Sequence, residues 1–335
     1  MNPVLVEVTR GDALGNEQVE SIHRGAACVV DIDGKVVHAW GDVEAITCPR
    51  SAVKPMQNLP LIEAGAADAF HLSEEELALA CASHSGEPTH TERVAAWQKR
   101  VGLSVDDLEC GAHPPTHIPS YETLIREGQR PCPLHNNCSG KHSGFLCLAM
   151  HMGAGTKGYV SPTHAVQRAA LMAVSDMANV DLNAMPLVRD GCNAPNVFMP
   201  LRNLALAWAR FGAPDKLATV RKTANKKLLH AMKAQPYLFS GTDRPCKIIT
   251  ENLHGAGVAK VGAEGVFAAC IPEQGLGIAV KIDDGAARAA SVAITSILKK
   301  LGALKDTKAV SNLLTVPHKA WAGPETGVVR AAAFT

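Results

Sequence analysis

The sequence carries almost no excess charge. Its 335 residues set 33 Lys and Arg against 32 Asp and Glu, a net charge of +1 at pH 7, and Lys222, Lys226 and Lys227 are scattered rather than part of a long basic run. Such a surface has no field with which to gather a polyanion, so nucleic acid is excluded as the expected partner. No stretch holds the roughly 18 uninterrupted apolar residues that a membrane-crossing helix requires. The opening residues, Met1-Asn2-Pro3-Val4-Leu5-Val6-Glu7, lack a basic n-region and a long apolar h-region. The expectation is therefore a cytoplasmic protein without membrane contact. Internal repeats and low-complexity segments are also missing, which sets aside solenoids and flexible linkers.

What is present is apolar material and sulfur. A hydrophobic content of 47% over this length supports a large core, either two ordinary domains or one elaborated one. The ten cysteines (28, 48, 81, 110, 132, 138, 147, 192, 246 and 270) are expected to be reduced, and most of them to pack as small apolar groups. Cys28, Cys81, Cys147 and Cys270 lie among Ala, Val, Leu and Phe, whereas Cys138 and Cys192 have more polar neighbours.

Periodicity divides the chain. Leu5 to Thr9 alternates, Ala26 to Asp31 is rich in β-formers, and Asp33-Gly34 is a hairpin signal before Lys35 to Trp40. From Pro49-Arg50-Ser51 the pattern turns helical, with an apolar run from Met56 to Ile62 and a stop at Gly65. Ser73 with Glu76, and Thr89 with Glu92, match capping boxes; Ser139 and Ser161-Pro162 are further helix starts. Residues 111–133 form a Pro- and His-rich surface connection around one short helix. Helices are expected over 200–211 and 215–235, then strands over 258–261, 265–271 and 277–282, and a last helix over 286–301. The reading is α/β of the α+β kind: an antiparallel sheet built from both chain ends, flanked by helices, with a helical middle region. As a single elaborated domain over 1–335, its sheet part is about 1–50 and 255–305 and its helical part about 51–254.

Chemistry is suggested by Ser51-Ala52-Val53-Lys54. On a helix the two side chains share a face, and a neutral lysine can take the proton that makes serine a nucleophile. Roughly one such Ser-x-x-Lys is expected by chance in a chain this long; Ser296-Ile297-Leu298-Lys299 is another and is assigned no chemistry. Two further elements follow in chain order. Ser83 lies in the polar loop Ser83-His84-Ser85-Gly86-Glu87-Pro88, with Ser85 as its rival, and Lys260-Val261-Gly262 lies on a late strand, with Lys281 as the rival lysine. The order Ser-x-x-Lys, loop hydroxyl, Lys-x-Gly strand resembles serine β-lactamases and penicillin-binding proteins. The loop lacks that family's Asn two residues after the hydroxyl, and Val261 stands in place of Thr, so the chain looks like a relative of those proteins and not a member.

A longer set of motifs is more specific: Pro49 to Lys54, Ser83 to Pro88, His135-Asn136-Asn137-Cys138-Ser139-Gly140-Lys141-His142, Asp190-Gly191-Cys192, and Lys260 to Gly265. Together they resemble the Rhizobium-type L-asparaginases of the asparaginase II family, over about residues 5–300. The resemblance implies a penicillin-binding-protein and β-lactamase-like fold, a homodimer, and hydrolysis of L-asparagine to L-aspartate and ammonia. It implies two Ser-Lys tandems, Ser51 with Lys54 and Ser83 with Lys260, and one zinc ion per subunit on Cys138, Lys141 and Cys192, not essential for turnover. Arg50, His142 and Asp190 are candidates for recognising the substrate's α-carboxylate and α-ammonium. His135 and His142 are rival zinc ligands, and Asp190 has the alternative of merely ending a helix. The chain departs from the family at Asn193-Ala194-Pro195-Asn196, where a Gly-Ile-Pro-Thr-like run is usual, which alters the wall beside the metal candidates. Two other readings stand beside asparaginase: a glutaminase or other serine acyl hydrolase, such as a β-lactam-acting protein, and a catalytically silent zinc-binding protein.

Overall fold

The computed structural model describes residues 1–11 and 16–332. Its strands are β1 (Val4–Gly11), β2 (Glu17–Asp31), β3 (Val36–Trp40), β4 (Ile46–Thr47), β5 (Leu187–Arg189), β6 (Pro195–Val197), β7 (Met199–Pro200), β8 (Val258–Val261), β9 (Val266–Ile271), β10 (Leu276–Ile282), β11 (Thr315–Lys319) and β12 (Glu325–Ala331). The chain divides into two compact units, one of Met1–Ala52, Met199–Ala213 and Ile248–Thr335, the other of Val53–Phe198 and Pro214–Lys247.

The first unit is an antiparallel sheet in the order β11-β12-β1-β2-β10-β9-β8, with β3 also paired to β2. Both chain ends supply it, as the alternation at 5–9 and the strand-like runs over 258–282 lead one to expect. Residues Val266 to Ile271 are buried without a break, so both faces of β9 are covered. The helices Leu201–Gly212 and Ala287–Lys300 both pack on β9 and β10. The sheet extends past 305: a helix Lys308–Leu314 leads into β11, and β12 pairs with β1.

The second unit is helical. Its centre is the helix Ser139–His151, buried at every position from Ser139 to Ala149, against the helices Leu59–Glu63, Glu74–Ala80, Pro88–Arg100 and Ala165–Ala178. The Ser73 capping box forms with Glu76 as expected. Three local expectations are corrected. The run after Ser51 is not one helix but a 3-10 turn Arg50–Val53 and two short helices, Lys54–Gln57 and Leu59–Glu63, because the prolines at 55 and 60 supply no N–H to continue the ladder. The Thr89–Glu92 box does not form, since Pro88, preset for the first helical position, starts that helix behind Glu87. Cys138 and His164, not Ser139 and Ser161, precede their helices. Cys28, Cys81, Cys147 and Cys270 are fully buried, and no disulfide joins any of the ten cysteines. Among the described residues no helix is long and apolar enough to cross a membrane.

Candidate active site

Lys54 opens the second unit's first helix and is only 1% exposed. Its Nζ lies 2.6 Å from Ala82 O, 2.8 Å from Ser83 Oγ and 3.3 Å from Asn137 O. The two carbonyls can only accept from the Lys54 N–H groups, but the contact with Ser83 works both ways. An ammonium donates to the hydroxyl, whereas a neutral amine turns its lone pair to the hydroxyl proton. This is the point where a proton can pass between lysine and serine.

The surroundings hold that contact. Asn58 ends the Lys54 helix and donates from Nδ2 to both Lys54 O and Ala80 O, and Ser83 N–H donates to Phe239 O at 3.0 Å. The rival Ser85 is turned away, its hydroxyl donating to Glu87 Oε1. Burial pushes the Glu87 carboxyl up, but hydrogen bonds from Ser85 and from the Thr242 backbone and side chain outweigh it and hold the group at about 2.

Three predicted residues belong to the first unit. Ser51 is half-buried on the turn Arg50–Val53. Arg50 before it has φ 51°, a left-handed conformation that non-glycine residues seldom adopt outside constrained sites. Lys260 is fully buried on β8, its Nζ donating to Val261 O, while its rival Lys281 is half-exposed at Glu264 O. A Cβ on Gly262 would stand 2.6 Å from Pro49 O. Only glycine lets the end of the Lys260 strand come this close to the residues leading into Ser51.

The thiol candidates form a second cluster in the helical unit. Cys138, Lys141 and His142 begin the central helix, and Cys192 sits in the turn between β5 and β6. Asp190 is in that hairpin turn too, accepting from Gly191 N–H and Asn196 Nδ2; it does not end a helix. The buried Lys141 Nζ is 3.3 Å from Cys192 Sγ and 5.3 Å from the centre of the Phe145 ring. A hydrogen bond from Cys138 pulls the Cys192 thiol far below its usual range against the effect of burial, with help from Lys141. The same bond, with burial, pushes Cys138 up. Burial works to lower Lys141, yet the negative charge of Cys192, Cys138 and Asp190 wins and raises it. These shifts favour a thiolate on Cys192 beside the Lys141 ammonium, with Cys138 kept as the thiol, its Sγ 3.0 Å from Asn137 Oδ1.

His142 is fully buried, and burial lowers its pKa. Glu109 N–H donates to the Tyr159 hydroxyl, which lies 2.7 Å from His142 Nδ1 and can donate to it. With that donation the ring proton is on Nε2, which has no hydrogen-bond partner among the described residues and lies beside Cys192. His135 is committed elsewhere, its Nδ1 accepting from Cys132 N–H. His135 is therefore not set to replace a thiol as a metal donor. Among the described residues no three His, Cys, Asp or Glu side chains are grouped to hold a metal. The donors that do converge are two thiols and one amine, a soft set that suits zinc once Cys138 and Lys141 lose their protons.

Residues 6–331 match the sequence profile of the family described as L-asparaginase II. The chain belongs to the L-asparaginase II family. It is accordingly an enzyme of the asparaginase type, an amidohydrolase. A search of curated proteins finds no match. Among solved structures, the L-asparaginase II chain is similar to a beta-lactamase from Mycobacterium bovis, at 14% identity over 82% of this chain and 94% of that one, with a TM-score of 0.44. It is also similar to Mglu in its glutamate form, at 13% identity over 85% of this chain and 63% of that one, with a TM-score of 0.39. Tyr159, beside His142, falls in no motif, and Glu87, which holds the Ser83 loop of this asparaginase-family chain, lies in the motif Ser83 to Pro88 but was given no role there.

Proposed function

We propose that the chain hydrolyses the side-chain amide of L-asparagine to L-aspartate and ammonia with a Ser-Lys pair. The observation that supports this is the buried Lys54 amine 2.8 Å from a serine hydroxyl, an arrangement that has a use in proton transfer and little in packing. Ser51, half-buried behind the left-handed Arg50, is the nucleophile: its hydroxyl proton goes to neutral Lys54 as Oγ bonds to the amide carbon. Ser83, in hydrogen-bond contact with Lys54, passes the proton on, and with Lys260 delivers it to the nitrogen as the C–N bond breaks and ammonia leaves. Water then adds to the acyl-enzyme and the serine regains its proton as aspartate departs.

Arg50, His142 and Asp190 are assigned to the α-carboxylate and α-ammonium of the substrate. Cys138, Lys141 and Cys192 would hold one zinc ion, which when bound would supply fixed positive charge and not the nucleophile. The working form is taken to be a homodimer.

The test is ammonia release from L-asparagine and L-glutamine, and the colour change on ring opening of a chromogenic β-lactam, with zinc and with chelator, for the wild type and for Ser51→Ala, Ser83→Ala and Lys54→Met. Asparagine turnover should survive chelation, and Ser51→Ala and Lys54→Met should each lower kcat by about 10²–10⁴-fold without unfolding the protein. A Ser51→Ala enzyme retaining most of its turnover would transfer the nucleophile's role to Ser83. Faster turnover of glutamine or the β-lactam would replace the substrate, and no turnover of any of the three would reject the reading.

A further inference from the structure

We propose that His84 is a positioning residue for Ser83, holding that hydroxyl against Lys54 by fastening the 83–87 loop to the first turn of the helix Ser139–His151. The proposal rests on the amidohydrolase reading for its kinetic consequence, but not for its geometry.

His84 is 1% exposed, and both ring nitrogens are committed. Gly86 N–H donates to Nδ1 at 3.2 Å, so that nitrogen has no proton. The proton is therefore on Nε2, which donates to Ser139 Oγ at 2.8 Å; the Ser139 hydroxyl in turn donates to Leu134 O at 3.1 Å. Every hydrogen in this chain has one possible direction, fixed at one end by an amide that only donates and at the other by a carbonyl that only accepts. With no proton to offer a substrate, His84 acts only through what it holds.

What it holds is the residue beside it. The 83–87 loop is sewn to the 237–242 segment by Ser83 N–H on Phe239 O, and by the Thr242 backbone and hydroxyl on Glu87. There Gly241 must be glycine: its φ is +128°, and a Cβ would stand 2.0 Å from Ser85 Oγ. His117 N–H also donates to Ser85 O. These bonds secure the loop through its backbone and its far end. The bond from His84 to Ser139 is the one made by the residue next to Ser83, and it runs to the same stretch, 137–139, whose Asn137 O also accepts from Lys54. Serine and lysine thus share one anchor.

The ring is also clamped in place. It stacks on His90 with centroids 5.1 Å apart and planes 11° from parallel, and His90 lies 4.8 Å from the Tyr237 ring. A second ring proton would set a donor against the Gly86 N–H. Burial, and the neighbouring His90, Lys54, His113 and His135, all favour the neutral ring as well.

The experiment compares His84→Leu, which cannot donate to Ser139, with His84→Gln, whose amide can. For each, kcat and KM for asparagine are measured together with deuterium exchange of the 81–87 backbone. His84→Leu should lose about 10- to 100-fold in kcat, as a small misplacement of a reacting group does, with KM within about threefold and faster exchange in the loop. His84→Gln should recover most of both. Unchanged kcat and exchange in His84→Leu overturn the proposal, as does a loss that merely follows the folded fraction and that Gln does not rescue. Should His84→Leu not fold, Ser139→Ala removes the acceptor instead, and wild-type kcat and exchange there are equally fatal. If the wild type hydrolyses no amide, the proposed function fails while loop exchange alone still decides on His84.

Discussion

Glu87 shows how much a single side chain can fix. Its carboxylate is buried and takes four hydrogen bonds, from Ser85, from the Thr242 amide and hydroxyl, and from Tyr237. The result is a folded-state pKa of about 2 against an ordinary 4.5. Because the folded value is the lower one, the unfolded chain binds more protons in acid. The stabilisation is complete above about pH 4.5 and is lost as pH falls towards 2. Glu87→Gln should therefore lower Tm at pH 7, by an amount equivalent to about 1–3 kcal/mol, and flatten the fall in Tm between pH 4.5 and 2. Thermal melts of both proteins across that range check this; parallel acid limbs would show that Glu87 is not the group responsible. None of this was visible in Ser-His-Ser-Gly-Glu-Pro as text. That loop reads only as polar, and the segment 237–242, about 150 residues on, makes it a buried anchor. The same holds for Lys54. The spacing to Ser51 made it a candidate, but the hydroxyl 2.8 Å from its amine is Ser83, brought there by tertiary packing.

At the scale of elements, the late β-strands were legible because short β-rich runs are set off by the turns Gly-Ala-Glu-Gly and Pro-Glu-Gln-Gly: 258–261, 265–271 and 277–282 correspond to β8, β9 and β10 within a residue. The hairpin of β5 and β6 was not, since three-residue strands carry too little pattern to register. That hairpin matters, because its turn presents Cys192 to the start of the Ser139–His151 helix. Zinc on Cys138, Lys141 and Cys192 would have to displace a proton from the thiol and one from the ammonium that the paired charges now hold. Apparent zinc affinity should then rise with pH by up to about tenfold per unit for each proton released. Cys192→Ser, which leaves one thiolate donor, should weaken binding by at least about 100-fold. Calorimetric titration of the metal-free protein from pH 6 to 8 measures both; pH-independent affinity, or full affinity in Cys192→Ser, would exclude this donor set.

For the molecule as a whole, the family profile runs to residue 331, and the sheet explains why the chain must. β1 pairs with β2 on one side and β12 on the other, and β12 carries β11. Leu5, Val6 and Val8 of β1 are buried, as is Val329 of β12, and the helix Ala287–Lys300 packs on both strands. The pattern beyond 305 was missed because most positions of its strands share the same partial burial, and burial that varies so little leaves no alternation over TVPHK and ETGVVRA. Ending the chain after Leu314 would strip both strands and leave β1 as an unpaired edge above an opened core. Exposed edges of this kind pair with other copies. The truncated protein should be recovered mainly in aggregates, with its soluble fraction melting at least about 5–10 °C below the full chain, the shift that several kcal/mol brings in a domain of this size. A soluble monomeric or dimeric product with the full-length Tm would mean that β11 and β12 are an accessory to the sheet. Their pairing with the first strand of the chain argues instead that the sheet is complete only when both ends have been made.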